Sequence, residues 1–164
     1  MLKVLLGVAI VAFTTLCGYL LSRKYRQRKQ FFRQLSEFNE RFLNEISYYR
    51  RPIRDFITTY AYQGEFHDLL QSYLMNLEQS SPNPMQLLEE PAYAFLKEDE
   101  KTLITNYFFM LGKGDSSSQK GYFNSVKSVL GKWQSDAVET GKKYEDLYIK
   151  LGFLCGLFIL ILII

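Results

Sequence analysis

Residues 4–21 read VLLGVAIVAFTTLCGYLL, and these eighteen residues carry no charged side chain. As an α-helix they would extend about 27 Å, close to the thickness of the hydrocarbon core of a bilayer. The run is long for a cleaved signal peptide, and no small-x-small cleavage site precedes the positive charges that follow it. We therefore predict that residues 1–22 form an uncleaved N-terminal transmembrane helix.

A cluster of positive charges follows this segment directly, and no acidic residue interrupts it before Glu37. Because Lys and Arg beside a membrane segment favour the cytoplasmic side, we expect the N-terminus to lie outside and Arg23 inside. The same side chains can hold anionic lipid headgroups. The headgroup candidates are Arg23, Lys24, Arg26, Arg28 and Lys29, with Arg33 one turn further on.

A second apolar run, LGFLCGLFILILII, occupies residues 151–164. It makes only about 21 Å of helix by itself. Tyr148 and Ile149 extend it, and Lys150 can reach back to the headgroups. We predict that residues 149–164 form a C-terminal transmembrane helix, with Lys142 and Lys143 again on the cytoplasmic side.

Two glycines in this run predict close contact between membrane helices. Gly152 and Gly156 are four residues apart, so they lie on one face of a helix. Small residues at this spacing let transmembrane helices approach each other closely. Gly152 and Gly156 are therefore candidates for transmembrane packing.

Residues 23–148 are predicted to form a cytoplasmic helical bundle of the all-α class, since no segment shows strand alternation between hairpin turns. Its first helix carries apolar residues three or four positions apart. They are Phe31, Leu35, Phe38, Phe42, Ile46, Tyr49 and Ile53. Pro52 should end or kink this helix, and Gly64 should break the next.

Further helices are predicted from apolar spacing over residues 66–77 and after Pro91 up to Leu111. A last helix should begin near residue 116 and continue into the membrane, because no proline interrupts it. Residues 80–84 and 112–115 are predicted loops because they are rich in Ser, Pro, Asn, Gly and Asp. A short helix is expected over residues 85–89.

Side chains suited to catalysis are sparse and scattered. His67 is the single histidine, and Cys17 and Cys155 lie in the apolar end segments without metal-ligand spacing. The acidic runs 89–90 and 98–100 are predicted to be solvated charges at helix ends. We expect no catalytic residue, no cofactor and no metal, and neither nucleic acid nor a small-molecule substrate as ligand.

A second basic cluster surrounds the proline bend and is a candidate docking point for an acidic partner surface. Partner-binding candidates at the bend are Tyr49, Arg50, Arg51 and Arg54. Gly112, Asp115 and Gln119, in the predicted break before the last helix, complete the candidates.

Four stretches resemble the stage III sporulation protein AB family of endospore-forming bacteria. They are MLKVLLGVAIVAFTTLCGYLLSRKY at residues 1–25, NEISY at 44–48 followed by Arg51-Pro52-Ile53, LGKGDSSSQ at 111–119, and LGFLCGL at 151–157. They keep the family's order along the whole chain. Many members have Thr before the proline, where this chain has Arg51, and residues 60–100 carry no matching stretch.

The resemblance implies a place in the mother-cell membrane facing the forespore, within a multi-protein channel resembling a secretion system. It implies a bundle similar to the cytoplasmic domain of type II secretion and type IV pilus platform proteins, with a secretion-type ATPase and other channel subunits as partners. We therefore expect a non-enzymatic platform or scaffold subunit that links this membrane to the ATPase. The alternatives are a membrane-bound enzyme with a carboxylate site and a simple membrane tether.

Overall fold

The computed structural model describes residues 2–49, 51–78, 86, 88–111 and 116–163, and every regular element among them is helical. This confirms the predicted all-α class. The elements are helix α1 (Leu2–Asn44), a π-helical turn (Glu45–Tyr49), α2 (Ile53–Thr59), α3 (Gly64–Glu78), a 3-10 turn (Pro91–Tyr93), α4 (Glu98–Met110) and α5 (Ser116–Ile163).

The chain divides into two compact units. The central unit comprises Gln30–Ser135, and the terminal unit joins Met1–Lys29 to Asp136–Ile164. The predicted domain boundaries, after residues 22 and 148, follow the ends of the apolar runs and stay predictions. The terminal unit also takes in charged and aromatic residues beyond those runs, because such residues on α1 and α5 contact one another there.

The apolar stripe of α1 forms the core of the central unit, as predicted. Its buried members are Phe31, Leu35, Phe38, Phe42 and Ile46. Phe38 is central, because its ring centroid lies 5.2 Å from that of Phe56 in α2 and 5.7 Å from that of Phe66 in α3. Full burial of one such ring stabilises the fold by about 1.5–3 kcal/mol, so α1 holds the shorter helices against itself.

A buried polar network fixes the register of three helices in the central unit. The Tyr107 hydroxyl of α4 donates to Asn39 Oδ1 of α1 at 3.1 Å. Asn39 Nδ2 in turn donates to the Phe123 carbonyl of α5 at 3.2 Å. Burial raises the pKa of Tyr107 well above its ordinary value. Because buried polar groups are costly without partners, this arrangement disfavours sliding of one helix along another.

The predicted stripe is wrong at its end. Tyr49 is 69% exposed and Ile53 is half-buried, although apolar spacing puts both in one stripe with Ile46. The cause is the π-helical turn, which holds more residues per turn than an α-helix and so rotates the following side chains off that face. Pro52 then ends the helix, as predicted, and its carbonyl accepts from the Phe56 N–H at 3.1 Å to begin α2.

The junction before α3 differs from the prediction in position. Helix α2 ends at Thr59, and Gly64 opens α3 instead of breaking a helix, with a φ of +60° that glycine adopts without strain. The Gln34 side chain holds the connection. Its Oε1 accepts from the Gln63 N–H at 2.7 Å, and its Nε2 donates to the Gln63 carbonyl at 2.8 Å.

The single helix predicted after Pro91 is two elements, the 3-10 turn and α4. A new helix starts at Glu98 because Glu100 Oε2 accepts from the Lys97 N–H at 2.9 Å, which caps it. The acidic run 98–100 therefore marks a helix start, as predicted, but Glu100 is fully buried and not solvated. The loops at 80–84 and 112–115, and residues 85 and 87 of the short helix expected over 85–89, lie outside the described residues.

Candidate docking surface and membrane anchor

A clasp between Glu45 and Arg51 closes the bend at Pro52 in the central unit. The Glu45 side chain is 4% exposed, and its Oε1 accepts from the Arg51 N–H at 3.1 Å and from Arg51 Nε at 2.9 Å. Glu45 Oε2 accepts from Arg51 Nη2 at 2.6 Å. These hydrogen bonds hold the pKa of Glu45 below its usual range. A buried carboxylate is costly without hydrogen-bond donors, so Glu45 favours the conformation in which Arg51 supplies them. Because one of these donors is the Arg51 backbone N–H, the clasp fixes the backbone of the bend.

The clasp displays two neighbouring aromatic side chains. Tyr48 is 79% exposed and Tyr49 is 69% exposed. The Arg51 guanidinium carbon lies 5.5 Å from the centroid of the Tyr49 ring, and Arg54 is exposed on the first turn of α2. We call Tyr48, Tyr49, Arg51 and Arg54 the tyrosine–arginine surface. The structure thus brings together the predicted candidates Tyr49 and Arg51.

Of the remaining partner-binding candidates, the structure describes only Gln119. Arg50, Gly112 and Asp115 lie outside the described residues. Gln119 is buried, with 8% of its surface exposed, so its side chain adds little to a docking surface in this conformation. Tyr48 was not among the candidates, because apolar spacing alone does not indicate that a π-helical turn will expose two consecutive tyrosines.

In the terminal unit, α1 and α5 run antiparallel and approach each other at glycines. A Cβ atom on Gly152 would lie 2.5 Å from the Thr14 carbonyl oxygen, and one on Gly156 would lie 2.8 Å from Val11 Cα. Further along, a Cβ on Gly18 would lie 3.2 Å from the Tyr148 carbonyl carbon. Real Cβ atoms essentially never lie within 3.0 Å of a backbone atom, so the two helices can approach this closely at Gly152 and Gly156 only because these residues are glycine.

Part of the basic cluster pairs with acidic residues of α5 in the terminal unit. Arg26 Nη1 and Lys29 Nζ lie 3.5 and 3.4 Å from the carboxylate oxygens of Glu145. Arg28, which is 7% exposed, donates from Nη2 to Asp136 Oδ2 at 3.0 Å. Of the headgroup candidates, Arg23 and Lys24 are exposed. The sequence interpretation missed these pairs, although acids before the second apolar run mirror the bases after the first.

Outward-facing apolar side chains surround this helix pair. Phe13 is 66% exposed, Phe158 is 64% exposed and Ile161 is 73% exposed. Among the described residues, one helix is long and apolar enough to cross a membrane, and it covers Leu6–Tyr49 near the N-terminus. The C-terminal span stays a prediction.

The side chains that an enzyme would need have ordinary surroundings. His67 is half-buried on α3, and Glu98 Oε1 pairs with Lys101 Nζ at 2.9 Å. An open cavity of about 170 Å³ beside α4 is lined in part by Glu89, Glu98 and Lys101. Within the described residues, no three His, Cys, Asp or Glu side chains are grouped so that they could hold a metal ion.

Comparison with known proteins identifies the family. The family model described as stage III sporulation protein AB matches residues 3–164. The stage III sporulation protein AB of Bacillus subtilis (strain 168) is 26% identical over 170 residues, which cover 99% of this chain and 99% of that protein. No solved structure matches the chain. Since the match spans almost every residue, the chain belongs to the stage III sporulation protein AB family.

Proposed function

We propose that this sporulation protein is a non-enzymatic scaffold subunit of a membrane channel that resembles a secretion system. Its terminal helices would anchor it in the mother-cell membrane, and its central unit would present a docking surface to a secretion-type ATPase. One observation supports the proposal above all others. Two apolar helix ends pack on each other through glycine and leave Phe13, Phe158 and Ile161 facing outward.

The outward-facing side chains support the membrane part of the proposal. Exposed apolar side chains have an unfavourable hydration free energy, and the hydrocarbon chains of lipids would cover them without that cost. Because Gly152 and Gly156 lie against Val11 and Thr14, the short C-terminal run would enter the bilayer beside the longer N-terminal one. Both runs would then cross together, which supports two spans.

The charges beside these runs support the orientation. Arg23 and Lys24 follow the first run and Lys142 and Lys143 precede the second, and all four are exposed. Positive charges flanking membrane segments remain on the cytoplasmic side. The central unit lies between them in sequence, so it would face the cytoplasm with both chain ends outside. A tag at Ile164 that is accessible only from inside the cell would contradict this topology.

The tyrosine–arginine surface supports the docking part of the proposal. Tyr and Arg, together with Trp, are enriched at the positions that contribute most to the binding free energy of protein interfaces. The Glu45 clasp holds Arg51 beside the Tyr49 ring, and both tyrosines stay more than two-thirds exposed. The excess of positive charge at this bend suits an acidic partner. The ATPase as that partner comes from what the family resemblance implies.

The test is site-specific photocrosslinking in sporulating cells that produce the full chain. A photoreactive residue in place of Tyr49 should capture the ATPase, whereas one in place of exposed Lys132, on α5 of the same unit, should not. Capture of the ATPase from Lys132 alone would contradict the assigned surface. Capture from neither position, with normal sporulation of a Tyr48→Ser, Tyr49→Ser variant, would favour the simple tether.

The enzyme alternative is tested separately. Alanine substitutions of His67 and of the acidic runs 89–90 and 98–99 should leave sporulation unchanged if the chain is a scaffold. Loss of sporulation in a variant whose thermal unfolding and helix content match the unmodified chain would favour an enzyme. Glu100 is left intact in this test because it caps α4.

A further inference from the structure

The basic residues of the terminal unit at positions 23–29 and 142–143 fall into two groups with different partners. Arg26, Arg28 and Lys29 face Glu145 and Asp136. Arg23, Lys24, Lys142 and Lys143 are exposed, and no carboxylate of the described residues lies within 4.0 Å of their charged groups. We call these four side chains the exposed cation group. Their positive charges are therefore available to an external partner.

A stack of tyrosines brings the two halves of this group together. The Tyr25 and Tyr144 rings are stacked with centroids 5.0 Å apart and an angle of 12° between their planes. Lys24 Nζ lies 5.1 Å from the centroid of Tyr25, and Lys143 Nζ lies 5.6 Å from the centroid of Tyr144. Positive charges from α1 and α5 thus meet around one aromatic pair.

The exposed cation group lies directly beside the apolar runs. Arg23 and Lys24 follow Leu21 by two and three residues, or about 3–5 Å along the helix axis. Because Tyr144 stacks on Tyr25, four residues beyond Leu21, Lys143 is held about 7–8 Å from the level of Leu21. The polar headgroup layer on each side of a bilayer is of similar depth. Tyrosine is also the residue that favours this layer, since its ring is apolar and its hydroxyl polar.

We propose that the exposed cation group binds the headgroups of anionic phospholipids in the membrane that holds the chain. The four cations would contact phosphate oxygens, and the tyrosine stack would keep them in the headgroup layer. The paired residues Arg26, Arg28 and Lys29 contribute less, since Glu145 and Asp136 offset two of their three positive charges. This inference rests on the membrane anchoring proposed above and names the lipid class that the anchor selects.

The experiment measures lipid selectivity of the full chain reconstituted in phosphatidylcholine vesicles. Spin-labelled phosphatidylglycerol and spin-labelled phosphatidylcholine report which lipid is immobilised next to the protein. One surface cation corresponds to about a fivefold preference for anionic lipid, so we expect phosphatidylglycerol to be favoured by about fivefold or more. The preference should fall as salt is raised above 0.15 M, because screening shortens the reach of each charge.

The variant Arg23→Gln, Lys24→Gln, Lys142→Gln, Lys143→Gln should lower the preference to near one. Its matched control removes four exposed positive charges of the central unit, Arg54, Lys120, Lys127 and Lys132, by the same change to Gln. The control should keep the preference of the unmodified chain. Equal loss in both variants would show an effect of net charge and overturn the inference, as would an absence of preference in the unmodified chain.

Alkaline carbonate treatment of the same vesicles separates the two proposals. If the chain is extracted, membrane anchoring fails, and the lipid inference fails with it. If the chain is retained but does not prefer phosphatidylglycerol, the lipid inference alone is overturned.

Discussion

At the scale of single residues, Glu45 controls whether the bend at Pro52 is closed. Its carboxylate accepts three hydrogen bonds from Arg51, which lower its pKa in the folded chain below the value of about 4.3 typical of an unfolded one. Because the pKa of Glu45 is lower in the folded chain than in the unfolded chain, its ionised carboxylate stabilises the fold at pH values above the unfolded pKa. This stabilisation is lost as pH falls through the folded pKa. Glu45→Gln should therefore lower the thermal unfolding midpoint at pH 7.

The difference in midpoint between Glu45→Gln and the unmodified chain should shrink as pH falls below about 4.3. Thermal unfolding of both chains in detergent, followed by circular dichroism from pH 7 downward, measures it. A Glu37→Gln variant is the control, since Glu37 is exposed on α1 and its pairing with Arg41 is at the surface, where ion pairs contribute little. A difference that stays constant with pH would show that the Glu45 charge contributes nothing.

In the core, the Tyr107 hydroxyl stabilises the fold through a buried hydrogen bond. Tyr107→Phe keeps the ring but removes the donor to Asn39 Oδ1, which leaves a buried acceptor without its bond. We expect a loss of about 1–3 kcal/mol in the free energy of unfolding. Tyr48→Phe, at a 79% exposed position, should change it by less than about 0.5 kcal/mol. Similar losses in the two variants, measured by urea unfolding of the full chain, would contradict the assigned network.

At the scale of helices, α5 offers the same substitution in two environments. A Cβ on Gly131 would meet no atom within 4 Å, whereas one on Gly156 would meet Val11 and Thr14. Gly131→Ala should stabilise the chain by about 0.5–1 kcal/mol, because alanine loses less backbone entropy in a helix. Gly156→Ala should destabilise the helix pair by about 1–3 kcal/mol through overpacking. Thermal unfolding in detergent compares them, and equal effects would refute the close contact.

Helix periodicity predicted most of the fold and missed what depends on helix type and on distant partners. The stripe from Phe31 to Ile46 is buried as spacing requires, since an α-helix repeats every 3.6 residues. Tyr49 lies off that stripe because of the π-helical turn, which apolar spacing does not predict. The pairing of Glu145 with Arg26 and Lys29 joins residues more than a hundred positions apart. Such contacts follow from how helices pack and not from local sequence.

At the scale of the whole molecule, the proposed function needs docking in the central unit to be transmitted to the membrane anchor. Helix α5 runs unbroken from Ser116 to Ile163 and contributes to both units. A helix transmits displacement, whereas a flexible Gly/Ser segment behaves as a random coil. We therefore predict that a Gly/Ser linker inserted after Lys143 abolishes sporulation while the chain still enters the membrane.

Heat-resistant spore counts in a strain with only the altered chain measure this effect, and carbonate extraction verifies membrane insertion. The same linker inserted after Asn83, in the loop that the sequence predicts over residues 80–84, is the control, since loops tolerate insertions. It should leave spore counts within a few-fold of normal. Normal counts with the linker after Lys143 would contradict mechanical coupling, because an anchor that serves only as a tether does not depend on an unbroken helix.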